Sequence, residues 1–79
     1  MFTKVVMKSV SKVTGTSVVE LDYGDELETD LGLMYSEIDE IIEMIEYKTD
    51  LIISDEFDIN VHLTISDLIG LCQQKYGEW

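Results

Sequence analysis

The chain has no proline and no arginine, and only one cysteine, one histidine and one tryptophan among its 79 residues. Each absence excludes something. Without proline no helix is broken from within, so a helical reading is open though not required. The single Cys72 forms no internal disulfide, which suits a reducing compartment. A lone His62 has no acid–base partner fixed beside it by spacing and reads as a surface or packing residue. No stretch approaches the roughly 20 apolar residues of a membrane-crossing helix. The lysine-bearing start lacks the sustained apolar run of a secretory leader, so the expected location is cytoplasmic. No glycine-rich phosphate loop occurs.

Acid is what the chain has in excess. Seventeen Asp and Glu oppose five lysines, a net charge of −12. Such a surface repels nucleic acid and anionic membrane and favours proteins with basic patches. The charge is also segregated: Lys4, Lys8 and Lys12 lie at the start, and every acid lies at Glu20 or later. At 79 residues there is room for one small domain, 1–79, and its 46% hydrophobic content suffices for a core.

Periodicity predicts an all-α fold. Phe2, Val6, Val10 and Val13 recur at helical spacing, predicting a helix over 3–14 with Gly15 as its terminator. Residues 16–34 carry turn chemistry in Asp22, Gly24, Asp25, Thr29, Asp30 and Gly32, with Leu21, Leu27 and Leu31 as irregular anchors of a long loop. Ile38, Ile41, Ile42 and Ile45 then form one apolar stripe, and Ser36 with Asp39 three residues on reads as a capping box for a helix over 36–48. Leu51–Ile53 forms an apolar connector, and 55–60 a brief helix. Thr64 and Asp67 form a second capping box before a helix over 64–75, buried through Ile65, Leu68, Ile69 and Cys72.

The second helix carries the functional signal. Glu37, Asp39, Glu40, Glu43 and Glu46 are all acidic, and like charges three or four residues apart cost stability. A purely structural helix would more often mix signs, so a surface for a basic partner is expected, with the large residues Met34 and Tyr35 beside it. Asp22, Asp25, Glu26 and Glu28 could gather a divalent cation loosely, but they lack the roughly 12-residue calcium-loop pattern with its closing bidentate Glu, so no metal site is predicted. Cys72, on an apolar face, reads as a small buried hydrophobe rather than a nucleophile, and no catalytic set is assigned.

A helix, a long loop, Asp30-Leu31-Gly32, a Ser-led acidic helix, an apolar-to-acid connector, a short helix, and a last helix opened by Thr64-Ile65: this order resembles the acyl carrier proteins over nearly the whole chain. The resemblance implies a small four-helix bundle, three main helices and one short one, acting as a monomer and not as an enzyme. In that family a 4'-phosphopantetheine arm is esterified to a serine at the start of the second helix. It presents thioester-bound acyl groups to partner enzymes in fatty acid, polyketide or lipid biosynthesis. The partners so implied are a phosphopantetheinyl transferase and basic patches on acyl-transfer or synthase enzymes, docking on Tyr35, Glu37, Glu40, Glu43 and Glu46. An acyl chain would shelter among Ile38, Ile42, Ile45, Val61, Ile65 and Leu68. The family's Asp-Ser-Leu attachment motif is degenerate here. Counted without gaps from Gly32 it falls on Met34, Tyr35 and Ser36, with Tyr35 in the serine slot. With one extra loop residue Ser36 takes the slot and bears the arm. In the ungapped register the domain is an armless binding module with the same fold. Both registers stand at this point.

Overall fold

A computed structural model describes residues 2–54 and 62–77. Among these residues the chain is all-helical, with three α-helices in the order α1 (Phe2–Thr14), α2 (Tyr35–Thr49) and α3 (Ile65–Gly77). A single 3-10 turn at Val18–Glu20 interrupts the long first loop. The only strand-like pairing among the described residues is an isolated antiparallel bridge between Glu26 and Thr64. The short helix expected over 55–60 lies outside the described residues, and so does Val61.

Helix α1 is the central element. It packs against both α2 and α3, whose own Cα atoms do not approach one another within 8 Å. A helix with two neighbours needs a wide buried face, and α1 has one: Met7 and Ser9 are buried along with Phe2, Val6 and Val10. Ser9 is the surprise in this core. Its hydroxyl donates to the Val5 carbonyl at 2.9 Å, so a polar side chain is satisfied within its own helix and fits a face set by valines. Gly15 ends α1 as expected, at φ 74°, its N–H donating to the Ser11 carbonyl at 2.9 Å.

All four isoleucines of the predicted stripe, Ile38, Ile41, Ile42 and Ile45, are buried on α2. They join one cluster with Ile65, Leu68, Ile69 and Cys72 of α3 and with Leu21, Leu27, Leu33, Leu51, Ile53 and Leu63 of the connecting segments. Burial of Cys72 pushes its thiol pKa upward, consistent with a packing role.

The long loop is held by backbone bonding rather than by a sheet. Leu27 N–H donates to the Leu63 carbonyl at 2.9 Å, Ile65 N–H to Asp25 at 3.2 Å, and Ser66 N–H to Tyr23 at 2.9 Å. These bonds tie the loop to the entry of α3. That entry has the predicted capping box: Thr64 N–H donates to Asp67 Oδ2 at 3.0 Å, and Asp67 N–H to Thr64 Oγ1 at 3.1 Å.

Candidate functional site

The segment that leads into α2 is fixed from behind. Leu33 is buried, and its N–H donates to the Leu27 carbonyl at 3.0 Å, while Gly32 turns the chain at φ 67°. A left-handed φ is available to glycine at little cost, so the loop reverses there and delivers Met34 to the helix start.

The helix does not begin where its hydroxyl suggested. Met34 is the N-cap, in extended conformation, and Tyr35 is the first helical residue. The capping carboxylate is Glu37, whose Oε1 accepts the Met34 N–H at 2.9 Å. The Met34 carbonyl in turn accepts the N–H groups of Glu37 and Ile38, both at 3.0 Å. The expected Ser36–Asp39 capping box is therefore replaced by a cap at Met34, two residues before Ser36. The reason is the buried stripe. Seating Ile38 and Ile41 in the core while Leu33 stays pinned leaves only Met34 between loop and helix, and a glutamate three residues on serves that junction.

Met34, Tyr35 and Ser36 therefore stand in a row at the open end of α2. Met34 is 68% exposed and Tyr35 55%, and Ser36 is exposed with no hydrogen bond from its hydroxyl among the described residues. Free N–H groups of the first turn and the positive helix end lie beside them, an environment that favours an anionic group.

The acids of α2 divide by environment. Asp39, Glu40 and Glu43 are exposed, on the side away from the isoleucines. Glu37 and Glu46 are half-buried and engaged. Glu46 Oε2 accepts N–H bonds from Ile53 at 2.9 Å and from Ser54 at 3.0 Å, so it staples the connector to the helix. Two of the five acids thus have structural work that sequence alone did not reveal.

The free acids also have company. A shallow groove of about 470 Å³ runs beside Glu40 and Glu43, lined further by Met44, Tyr47, Lys48 and, from α1, Lys12. Tyr47 is 86% exposed. The surface in space is therefore not of single sign at its C-terminal end. The proximity of Lys12 could not be read from a position more than 25 residues away in the chain. Tyr47 is legible in the sequence as a large residue off the isoleucine stripe.

Two features of the first loop complete the picture. His62 does have a partner: its Nδ1 lies 3.0 Å from Glu26 Oε2, though the two are 36 residues apart. Thr29 Oγ1 donates to the other oxygen of the same carboxylate at 2.6 Å, and Asp30 Oδ2 accepts the Glu26 N–H at 2.8 Å. The hydrogen bond from Thr29 first, and then that from His62, holds the Glu26 carboxyl below the ordinary glutamate range. Glu26 is the hub of the loop, a role that only folding discloses. The second feature concerns the acidic loop residues, which read as turn chemistry in the sequence. Asp22 Oδ1 accepts the Gly24 N–H at 2.8 Å and Asp25 Oδ2 the Asp22 N–H at 3.0 Å, so these carboxylates are spent on their own turn. Among the described residues no three His, Cys, Asp or Glu side chains converge as metal ligands do. No described helix is long and apolar enough to cross a membrane.

No protein-family model matches this chain, and a search of characterised proteins finds no significant match.

Proposed function

We propose that this chain is an acyl-carrier-like domain that works as an armless docking module, presenting Met34, Tyr35 and the exposed acids of α2 to a basic surface on a partner protein. The observation that carries the reading is the position of Tyr35 as the first helical residue of α2. In the ungapped register counted from Gly32, Tyr35 takes the slot where the carrier family has its modified serine. The helix start and the isoleucine stripe both agree with that register. A phenol differs from a serine hydroxyl in reach, acidity and bulk, so a transferase shaped for serine rejects it. The acidic face is left as the functional feature. Asp39, Glu40 and Glu43 are exposed and lie off the buried stripe, so they are available to steer a basic partner such as an acyl-transfer or synthase enzyme.

A second reading rests on Ser36. Its hydroxyl is exposed one residue into the same positive helix end, so a phosphopantetheine arm there would make the domain a working carrier of thioester-bound acyl groups. The same experiment separates the two. The wild type, Ser36→Ala and Tyr35→Phe are treated with a broad phosphopantetheinyl transferase and coenzyme A and weighed intact. The docking reading expects no mass gain in any of the three. A gain in the wild type and Tyr35→Phe that is lost in Ser36→Ala would replace it with the carrier reading.

A further inference from the structure

Two of the lysines of α1, Lys4 and Lys8, sit where no acid answers them. Lys4 and Lys8 are exposed, one helical turn apart, and neither has an ion-pair partner among the described residues. Residues four apart on a helix are neighbours, so the two ammonium groups repel one another. That is unexpected in a chain with seventeen acids. Asp22 and Asp25, which flank Tyr23 on the loop beside this face, have their carboxylates bound to backbone N–H groups of their own turn.

Between the two lysines and the first loop lies an open groove of about 620 Å³. Its other walls are Thr3, Met7, Val18 and Tyr23. Val18 and Tyr23 are exposed apolar bodies, 39% and 54% accessible, held in place by the 3-10 turn and by the bond from Ser66 N–H to the Tyr23 carbonyl. Past Tyr23 and Thr3 a second depression of about 350 Å³ continues over Ile69 and Gly70 of α3. Gly70 leaves open space there, since a Cβ would meet nothing within 4 Å. A paired positive end thus opens onto an uncharged track, apolar along Met7, Val18 and Tyr23 and mixed further on, where Ser66 and Gln73 join Ile69.

We infer that this groove is a binding site for a single anionic amphiphile, a carboxylate or phosphate headgroup on a medium-length alkyl chain. The headgroup lies between the Lys4 and Lys8 ammonium groups and relieves their repulsion. The chain lies along Met7, Val18 and the Tyr23 ring and runs on toward Gly70. The size falls in the usual range of small-molecule sites, roughly 300–1,000 Å³. The site lies on α1, the first loop and α3, so it is independent of the docking face of α2 and of any group on Ser36.

The test uses the intact chain with decanoate and decyl phosphate, each below its micelle concentration, followed by calorimetry and backbone amide shifts. Both amphiphiles are expected to bind saturably and to move the amides of Met7, Lys8, Val18 and Tyr23. Decanol and inorganic phosphate are expected to bind at least about fivefold more weakly, since each lacks half of the recognition. Lys4→Gln/Lys8→Gln is expected to weaken decyl phosphate by about fivefold or more. Val18→Glu, which sets a negative charge on the exposed wall, does the same. Both variants alter exposed positions and are checked for an unchanged far-ultraviolet circular dichroism spectrum. The proposal is overturned by an absence of saturable binding, by shifts confined to the isoleucines of α2, or by affinity indifferent to the lysine substitutions. Binding only to anionic phospholipid vesicles, with none to the monomeric amphiphiles, overturns it as well.

Discussion

The backbone N–H of Met34 donates to Glu37 Oε1 at 2.9 Å, so α2 is opened by a glutamate inside its first turn and not by the neighbouring serine. Glu37→Ala is expected to destabilise the fold by about 0.5–2 kcal/mol, the ordinary cost of a lost cap. Ser36→Ala is expected to stay within about 0.5 kcal/mol, as for an exposed residue away from any such feature. Urea denaturation of the two variants checks this. The reverse order would restore Ser36 as the cap.

Glu46 has a different burden from the other acids of its helix. Its Oε2 accepts two N–H groups, from Ile53 and Ser54, and Ile53 is fully buried. Glu46→Ala leaves those donors without their acceptor and is expected to cost about 1–3 kcal/mol. Glu46→Gln retains an acceptor and is expected to recover about half of the loss. Glu40→Ala, at an exposed position, serves as the neutral reference. Equal effects at Glu40 and Glu46 would count against the staple.

Acid acts through Glu26. The folded state holds its carboxyl below the ordinary glutamate pKa, first through Thr29 and then through His62. A depressed folded pKa means that the unfolded chain binds the proton more readily. The stabilisation is therefore complete above the ordinary glutamate value. It fades as pH falls through that value and is gone below the lowered one. Thermal melts from about pH 6 to pH 3 are expected to show a shallower acid limb in Glu26→Gln than in the wild type. Parallel limbs would show that other carboxylates govern acid sensitivity.

The docking face makes its own prediction. Glu40 and Glu43 are exposed, so Glu40→Lys/Glu43→Lys is expected to leave the fold intact. Association with a lysine-rich amphipathic helical peptide is expected to slow by about tenfold or more at low salt, chiefly in the on-rate, and to lose most of its ionic-strength dependence. Stopped-flow binding in low and high salt reads both. Because Lys12 and Lys48 share a groove with Glu40 and Glu43, Lys12→Gln is expected to change the on-rate in the opposite direction. An on-rate indifferent to the reversal would move the docking surface elsewhere.

Much of the architecture is local information, and local information is legible. The isoleucines of α2 recur at the helical period because that face is buried, so period alone located the helix. Thr64 and Asp67 bond across three residues, and Gly15 closes α1 through its own turn, so these ends could be read directly. The cap of α2 lies two residues before the expected Ser36: serine is a common N-cap, and the sequence does not show that Leu33 is already buried and bonded to Leu27.

What only the tertiary structure decided are pairings between distant segments. Glu26 meets His62 across 36 residues, Lys12 of α1 shares a groove with Glu40 and Glu43, and Lys4 and Lys8 face Tyr23 across an apolar trough. The sequence by itself determined three amphipathic helices, their buried faces and an acidic second helix, because each depends on neighbours within a turn or two. Which acids are free and which are bound, and which lysines have company, depend on how α1 lies against α2, α3 and the first loop. That packing is set by the joint burial of valines, leucines and isoleucines from every segment, and no single segment encodes it.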